Sequence, residues 1–182
     1  MGGNELEKTL QSELIYGGRR LRLHRDEVEF PSGKRTFREV VVHPGAAAVV
    51  PVTKGGEVFL VKQFRYAVGS ELYEIPAGTI EKGESPEQCA VRELREEAGL
   101  IARNIEKLGQ FYTSPGVMNE VMHLYRATNL IVTEREPEEG MTVVRMKLGE
   151  VVDKIRKGEI LDAKTICGIF WVIWGVPHKE AY

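Results

Sequence analysis

Residues 78 to 100, GTIEKGESPEQCAVRELREEAGL, mark out a helix at both ends and load one side of it with carboxylates. Ser85 suits the N-cap, Pro86 the first helical position where a missing N–H costs nothing, and Gln88 completes a Ser-x-x-Gln capping box. Gly99 supplies the C-terminal stop. At about 100° per residue, Ala90, Val91, Leu94 and Ala98 share one arc, predicted to face a core. Glu93, Glu96 and Glu97 fall on the adjoining arc. Like charges at i, i+4 cost a helix only roughly 0.2–0.5 kcal/mol each. In a chain with 24 glutamates, a merely solvated face therefore stays a candidate reading. Two features favour a bound cation instead. Arg92 and Arg95 compensate the charge only locally, and the preceding loop spends Gly78 and Gly83 on positions where backbone must bend. Clustered carboxylates beside loop carbonyls form a hard-oxygen site suited to Mg²⁺ or Mn²⁺.

The remaining chain reads as scaffold for this element. Its 182 residues suffice for one domain with a modest extension and a proper core. A net charge of −2 offers no basic field for nucleic acid or an anionic membrane. The polar start lacks a signal-peptide pattern, and the longest apolar run, 166–176, is too short to span a bilayer, so a cytoplasmic protein is expected. Cys89 and Cys167 are the only cysteines, which gives neither a disulfide framework nor a zinc spacing; both read as packing residues. Of 27 acids, 24 are Glu, and Asn and Gln together number eight, a bias that predicts a thermophilic source.

Residues 4–14 suggest a helical turn at most. Leu21, Leu23, Val28 and Phe30, the Pro31-Ser32-Gly33 turn and Thr36–Val42 then predict a β-hairpin over 19–42. Such a small sheet has little core of its own and must lie on the main domain or on a second subunit. Further strands are predicted at 46–52, 58–61, 72–75, 109–113, 121–127 and 141–148. Helices are predicted at 149–157 and after Asp162, which suits an N-cap. Ile166, Ile169, Phe170, Ile173 and Trp174 follow at helical spacing, and with Trp171 and Val172 on other faces that helix should be largely buried. Mixed strands with a few helices packed on them give an α+β class. His24, His43, His123 and His178 show no ligand spacing and read as structural or solvated.

Gly78, five residues, Glu84, seven residues and Arg92-Glu93-Leu94-Arg95-Glu96-Glu97-Ala98-Gly99-Leu100 resemble the Nudix box, G-x5-E-x7-R-E-U-x-E-E-x-G-U with U aliphatic, at every fixed position. The resemblance implies a Nudix α/β/α sandwich, a mixed sheet with flanking helices, plus a small N-terminal antiparallel β-sheet. It also implies hydrolysis of a nucleoside diphosphate linked to another group. Carried onto this chain, the metal ligands would be Glu93 and Glu97, with Glu96 sharing ions or a bridging water and the Ala77 carbonyl adding a donor. Arg92 would orient the carboxylates, and Glu84 would belong to the loop rather than to the ion. Divalent ions would neutralise the diphosphate and lower the pKa of an attacking water.

Three further stretches are similar to the ADP-ribose pyrophosphatase subgroup: Lys62-Gln63-Phe64-Arg65-Tyr66, Glu74-Ile75-Pro76-Ala77-Gly78, and Ser114-Pro115-Gly116, whose proline stands 16 residues after Gly99. That likeness implies ADP-ribose as substrate, cleaved to AMP and ribose 5-phosphate, and a homodimer. Residues 1–43 would serve dimerisation and adenine binding, and 44–182 would form the catalytic domain. Arg65 would bind the diphosphate as a bidentate donor. Phe37 would stack on adenine with Arg20 as the opposite face, core packing of the hairpin being the equal alternative for Phe37. The general base would be Glu139, with Glu138 second; Gly140 stands where the subgroup carries an aromatic residue. Rival readings are a Nudix hydrolase of a nucleotide sugar or dinucleoside polyphosphate, and a nucleotide-binding sensor without turnover.

Overall fold

The computed structural model describes residues 6–19, 21–134 and 139–175. They fall into two compact units, one of residues up to 45 with 112–121, the other of 46–111 with residues from 122 onward.

The first unit is an antiparallel sheet, β1 (Lys8–Gly17), β2 (Arg22–Glu29) and β3 (Arg35–Val42), with β2 central. The predicted hairpin is β2–β3, registered Arg22↔Val42 to Glu29↔Arg35. Gly33 adopts a φ of +80° in its turn, and its N–H donates to the Phe30 carbonyl at 2.8 Å. β1 is a strand where a helical turn was the most the residues suggested. All ten of its side chains are exposed, so no buried face writes a period into the sequence. Backbone pairing with β2, interrupted by two bulges, makes the strand instead. Residues 112–121 are tied to β3 by Val41 N–H to the Val117 carbonyl at 2.8 Å. His43 belongs to the same framework: its backbone N–H donates to Asn119 Oδ1 at 2.8 Å, and its ring lies 3.3 Å from Glu120.

The second unit contains β4 (Ala46–Pro51), β5 (Glu57–Arg65), β6 (Ser70–Glu74), β7 (Ala77–Thr79), α1 (Pro86–Ala98), β8 (Leu100–Tyr112), β9 (Val121–Val132), β10 (Met141–Lys147), α2 (Leu148–Arg156) and α3 (Ala163–Trp174). One sheet runs β7-β4-β9-β8, with β4 and β9 parallel; the other is β10-β5-β6, antiparallel. Every residue of β4 is buried, because a strand covered on both faces has no polar side. Ala46, Ala48 and Val50 join Leu60, Ile75, Leu124, Val151 and Ile169 in the core shared with α2 and α3. Ala47 and Val49 point the other way, into Cys89, Ala90, Leu94 and Ala98 of α1. Helices on both sides of the sheet make this the α/β/α sandwich.

In this unit three elements depart from the sequence reading. β7 pairs with β4 where a loop was predicted, a three-residue strand being too short to show a pattern. β8 starts at Leu100, nine residues before the predicted strand; most of its residues are exposed or half-buried, so it carries no apolar run. Among the described residues, α3 is covered on one face only. Thr165, Gly168 and Ile169 are buried, while Trp174 is 75% exposed and stacks on Phe170 with ring centroids 4.6 Å apart. Its apolar residues encircle the helix, but a single sheet can cover only one side. Among the described residues, no helix is long and apolar enough to cross a membrane.

Leu94 is fully buried between α1 and β4. Leu94→Ala is expected to cost about 2–5 kcal/mol, read as a lower urea midpoint with an unchanged denaturant slope.

Candidate active site

The α1 helix begins and ends as its residues direct. Ser85 Oγ accepts from the Gln88 N–H at 3.2 Å, Gln88 Oε1 accepts from the Ser85 N–H at 2.8 Å, and Gly99 stops the helix at a φ of +64°. The buried arc is rotated from the predicted one. Val91 is 45% exposed, and Cys89 takes the inner position together with Glu93 and Glu97, each only 8% exposed. Cys89, Glu93 and Glu97 recur at i, i+4 and i+8, so burying the first carries both carboxylates inward beside the Ala90–Leu94–Ala98 stripe. Burial pushes the Cys89 thiol up to about 12, as befits a packing residue.

Gly78 is required for closeness and not for a bend. Its φ is not among the positive values, whereas that of Gly83 is +86°. A Cβ on Gly78 would lie 1.7 Å from Glu93 Oε1, so the bare backbone of β7 is what admits the carboxylate. The neighbouring Ala77 N–H donates to Glu97 Oε2 at 2.9 Å. Strand and helix thus hold the two glutamates from opposite sides.

Arg92 gathers the remaining charge. Its Nη1 donates to Glu93 Oε1 at 2.5 Å and to Glu96 at 3.1 Å, and its Nε donates to Glu84 Oε1 at 2.8 Å. Glu84 also accepts from the Glu81 N–H at 3.0 Å, which closes the loop before α1. The Arg92 hydrogen bond holds the Glu84 carboxyl down at about 2. Glu96 is much more open, with 58% of its side chain exposed.

Glu93 and Glu97 behave oppositely to Glu84. Burial raises both, Glu97 to about 7, against the Ala77 hydrogen bond and with added repulsion from Glu93. Among the described residues, no three His, Cys, Asp or Glu side chains are gathered as a ready-made metal cage, and Arg92 and the Ala77 N–H engage Glu93 and Glu97. The donor set still fits a hard divalent cation. Two buried carboxylates one turn apart resist ionising together, and a cation between hard oxygen donors removes that resistance.

A second cluster, missed in the sequence, centres on Glu74, which is 1% exposed. Arg65 donates to it through Nε and Nη2, both at 2.6 Å, and Lys164 Nζ donates from α3. Lys164 also reaches Asp162 Oδ1 at 2.9 Å. Asp162 caps α3 by accepting from the Thr165 N–H at 2.9 Å, and the buried Thr165 hydroxyl accepts from the Ile75 N–H at 2.8 Å. The paired edge of the Arg65 guanidinium, expected to face a ligand, is therefore spent on Glu74. Nη1 is left on its other edge, and 41% of the side chain is exposed. The sole hint in the sequence was a carboxylate inside the apolar run Leu72–Ile75.

In the first unit, Phe37 is 52% exposed, which rules out core packing of the hairpin. Arg25 lies over its ring, 4.1 Å from the centroid. Arg20, predicted for the opposite face, lies outside the described residues, as do Glu138 and His178. Glu139 is exposed in a turn with Gly140 immediately before β10. A cavity of about 460 Å³ lined by Thr53, Lys54, Arg103, Asn129, Leu130 and Ile131 includes none of the predicted site residues.

Residues 42–166 match the NUDIX domain family. The chain is 42% identical over 167 residues to an ADP-ribose pyrophosphatase of Bacillus subtilis, covering 90% of each protein. It is 39% identical over 167 residues to a methanol dehydrogenase activator of Bacillus methanolicus, again over 90% of each. A crystal structure described as an ADP compounds hydrolase superposes with a TM-score of 0.81 over 95% of both chains at 23% identity, a likeness of fold.

The raised carboxyls set a pH dependence. Glu97 takes its proton at about 7 when folded, against an ordinary value of 4.5. Protons therefore favour the folded state, and that contribution is complete below 4.5 and lost as pH rises through 7. In EDTA, the melting midpoint should fall between pH 5 and 8, and Glu97→Gln should flatten the fall. An unchanged slope in that variant contradicts the assignment.

Proposed function

The chain belongs to the Nudix family, and from that premise we propose that it hydrolyses ADP-ribose to AMP and ribose 5-phosphate. The observation that carries the reading is the buried Glu93–Glu97 pair, set in the same unit as a guanidinium that Glu74 holds by one edge. A diphosphate needs cationic partners, and this arrangement offers one directly and a seat for others. The identity of 42% to a protein named ADP-ribose pyrophosphatase, spanning 90% of both chains, supports the choice of substrate.

In this reading Glu93 and Glu97 hold the divalent ion, with Glu96 and the Ala77 carbonyl completing the oxygen donors. Mg²⁺ is the expected ion, and Mn²⁺ can replace it. When bound, it supplies charge neutralisation and acidifies water. Arg92 keeps the carboxylates oriented through its contacts to Glu84, Glu93 and Glu96. Arg65 offers Nη1 to the diphosphate and opposes the charge that grows there. Glu139 accepts a proton from the attacking water, whose oxygen bonds to one phosphorus as the bridging P–O bond breaks. Its exposed place in the turn before β10 is compatible with that role.

Adenine recognition belongs to the first unit. Phe37 offers an open ring face to adenine, and Arg25 stacks against the ring and steadies it. Leu14 and Tyr16 of β1 are 54% and 58% exposed, apolar surface suited to burial in a homodimer through residues 1–43. The free thiols of Cys89 and Cys167 accord with a reducing cytoplasm.

The test is nucleoside monophosphate release from a panel of ADP-ribose, nucleotide sugars and dinucleoside polyphosphates, with and without Mg²⁺. ADP-ribose should give the highest kcat/KM, and omitting the metal should abolish turnover. Preference for another compound overturns the substrate, and binding without cleavage favours a sensor. Glu97→Gln should remove turnover, and Glu139→Gln should lower kcat by about 10²–10⁴-fold.

A further inference from the structure

Arg65 is held by Glu74, and Glu74 is held in turn by Lys164 from α3. Glu74 is buried and engages Arg65 on one side and Lys164 on the other. Only 12% of the Lys164 side chain is exposed, and its ammonium meets two carboxylates, Glu74 and Asp162. Nothing in the hydrolysis proposed above uses this lysine, and a buried ammonium is costly unless it is paired, as this one is with Glu74 and Asp162.

We propose that Lys164 is a positioning residue for the diphosphate: it fixes Glu74, and Glu74 fixes the Arg65 guanidinium so that Nη1 faces outward. The inference rests on the reading of Arg65 as the diphosphate-binding group. The geometry supplies both halves. A bidentate pair at 2.6 Å on Nε and Nη2 leaves the guanidinium plane no free rotation, and Nη1 is the nitrogen outside that pair on a side chain that is 41% exposed. Glu74, at 1% exposure, has a cation on each side, Arg65 and Lys164. Burial alone would push its carboxyl up, but the hydrogen bonds from Arg65 and Lys164 outweigh it and hold the carboxyl below its ordinary value. Lys164 is itself fixed by Asp162, which also caps α3 at the Thr165 N–H. The helix N-terminus thereby sets where the ammonium stands, and the ammonium sets where Arg65 points.

A double-mutant cycle tests this, with ADP as the probe in EDTA, so that binding is read independently of turnover. Arg65→Ala should weaken ADP binding, and Lys164→Met should weaken it by roughly tenfold in the Arg65 protein but not in the Arg65→Ala protein. Glu74→Gln should repeat this non-additivity, which keeps the test decisive where Lys164→Met does not fold. Lys164→Arg should recover part of the affinity. In turnover, KM should rise with kcat within about twofold if only binding geometry is lost. Equal losses from Lys164→Met in both backgrounds mean a through-space charge effect and overturn the inference, as does full affinity in Lys164→Met. Unchanged affinity in Arg65→Ala removes the Arg65 reading itself, a different failure.

Discussion

The packing of α1 on β7 is closer than any side chain but hydrogen would allow, and the chemistry of the protein follows from that contact. With Gly78 at the crossing, Glu93 occupies space that a Cβ would fill. The helix therefore settles with Cys89, Glu93 and Glu97 turned inward, and two carboxylates enter a region where burial resists their charge. Isolated, such a pair would be a defect. Arg92 and the Ala77 N–H are the partners that make it tolerable.

The sheet β10-β5-β6 and α3 contribute the complementary charge. Glu74 is the pivot, one carboxylate with a cation on each side and almost no solvent. The two clusters feel one another across the unit. Arg65 and Lys164 lower the Glu97 carboxyl, and Glu97 raises Arg65. Because these groups sit on elements packed against the two faces of β4, one core on each side, their spacing is held by packing rather than by the groups themselves.

How much of this was legible depended on whether a residue's role had a local signature. Ser85, Gln88 and Gly99 act on neighbours within a few positions, so the limits of α1 could be read directly. Asp162 acts the same way and was equally readable as a cap. β4 announced itself by an unbroken apolar run. β1 did not, because none of its side chains is buried and backbone pairing with β2 alone makes the strand. Val91 was misplaced by about one helical position, since alanine, cysteine and valine are equally apolar and only the sheet decides which of them faces it. Phe37 illustrates the same limit, an aromatic residue in a strand being core or surface according to what covers the strand.

The amino-acid order alone determined the family and the carboxylate helix, because glycine, proline and glutamate at set spacings act through local backbone rules. It also determined the class of fold through runs of apolar residues. Tertiary structure decided the rest. It revealed why Gly78 must be glycine, made Glu93 and Glu97 reluctant anions while Glu84 ionises freely, and spent the paired edge of Arg65 on Glu74. Each of those outcomes turns on burial and on partners many positions away in the chain: Lys164 meets Glu74 across 90 residues. Desolvation and long-range hydrogen bonds have no period in a sequence, so they become visible only once the elements have packed.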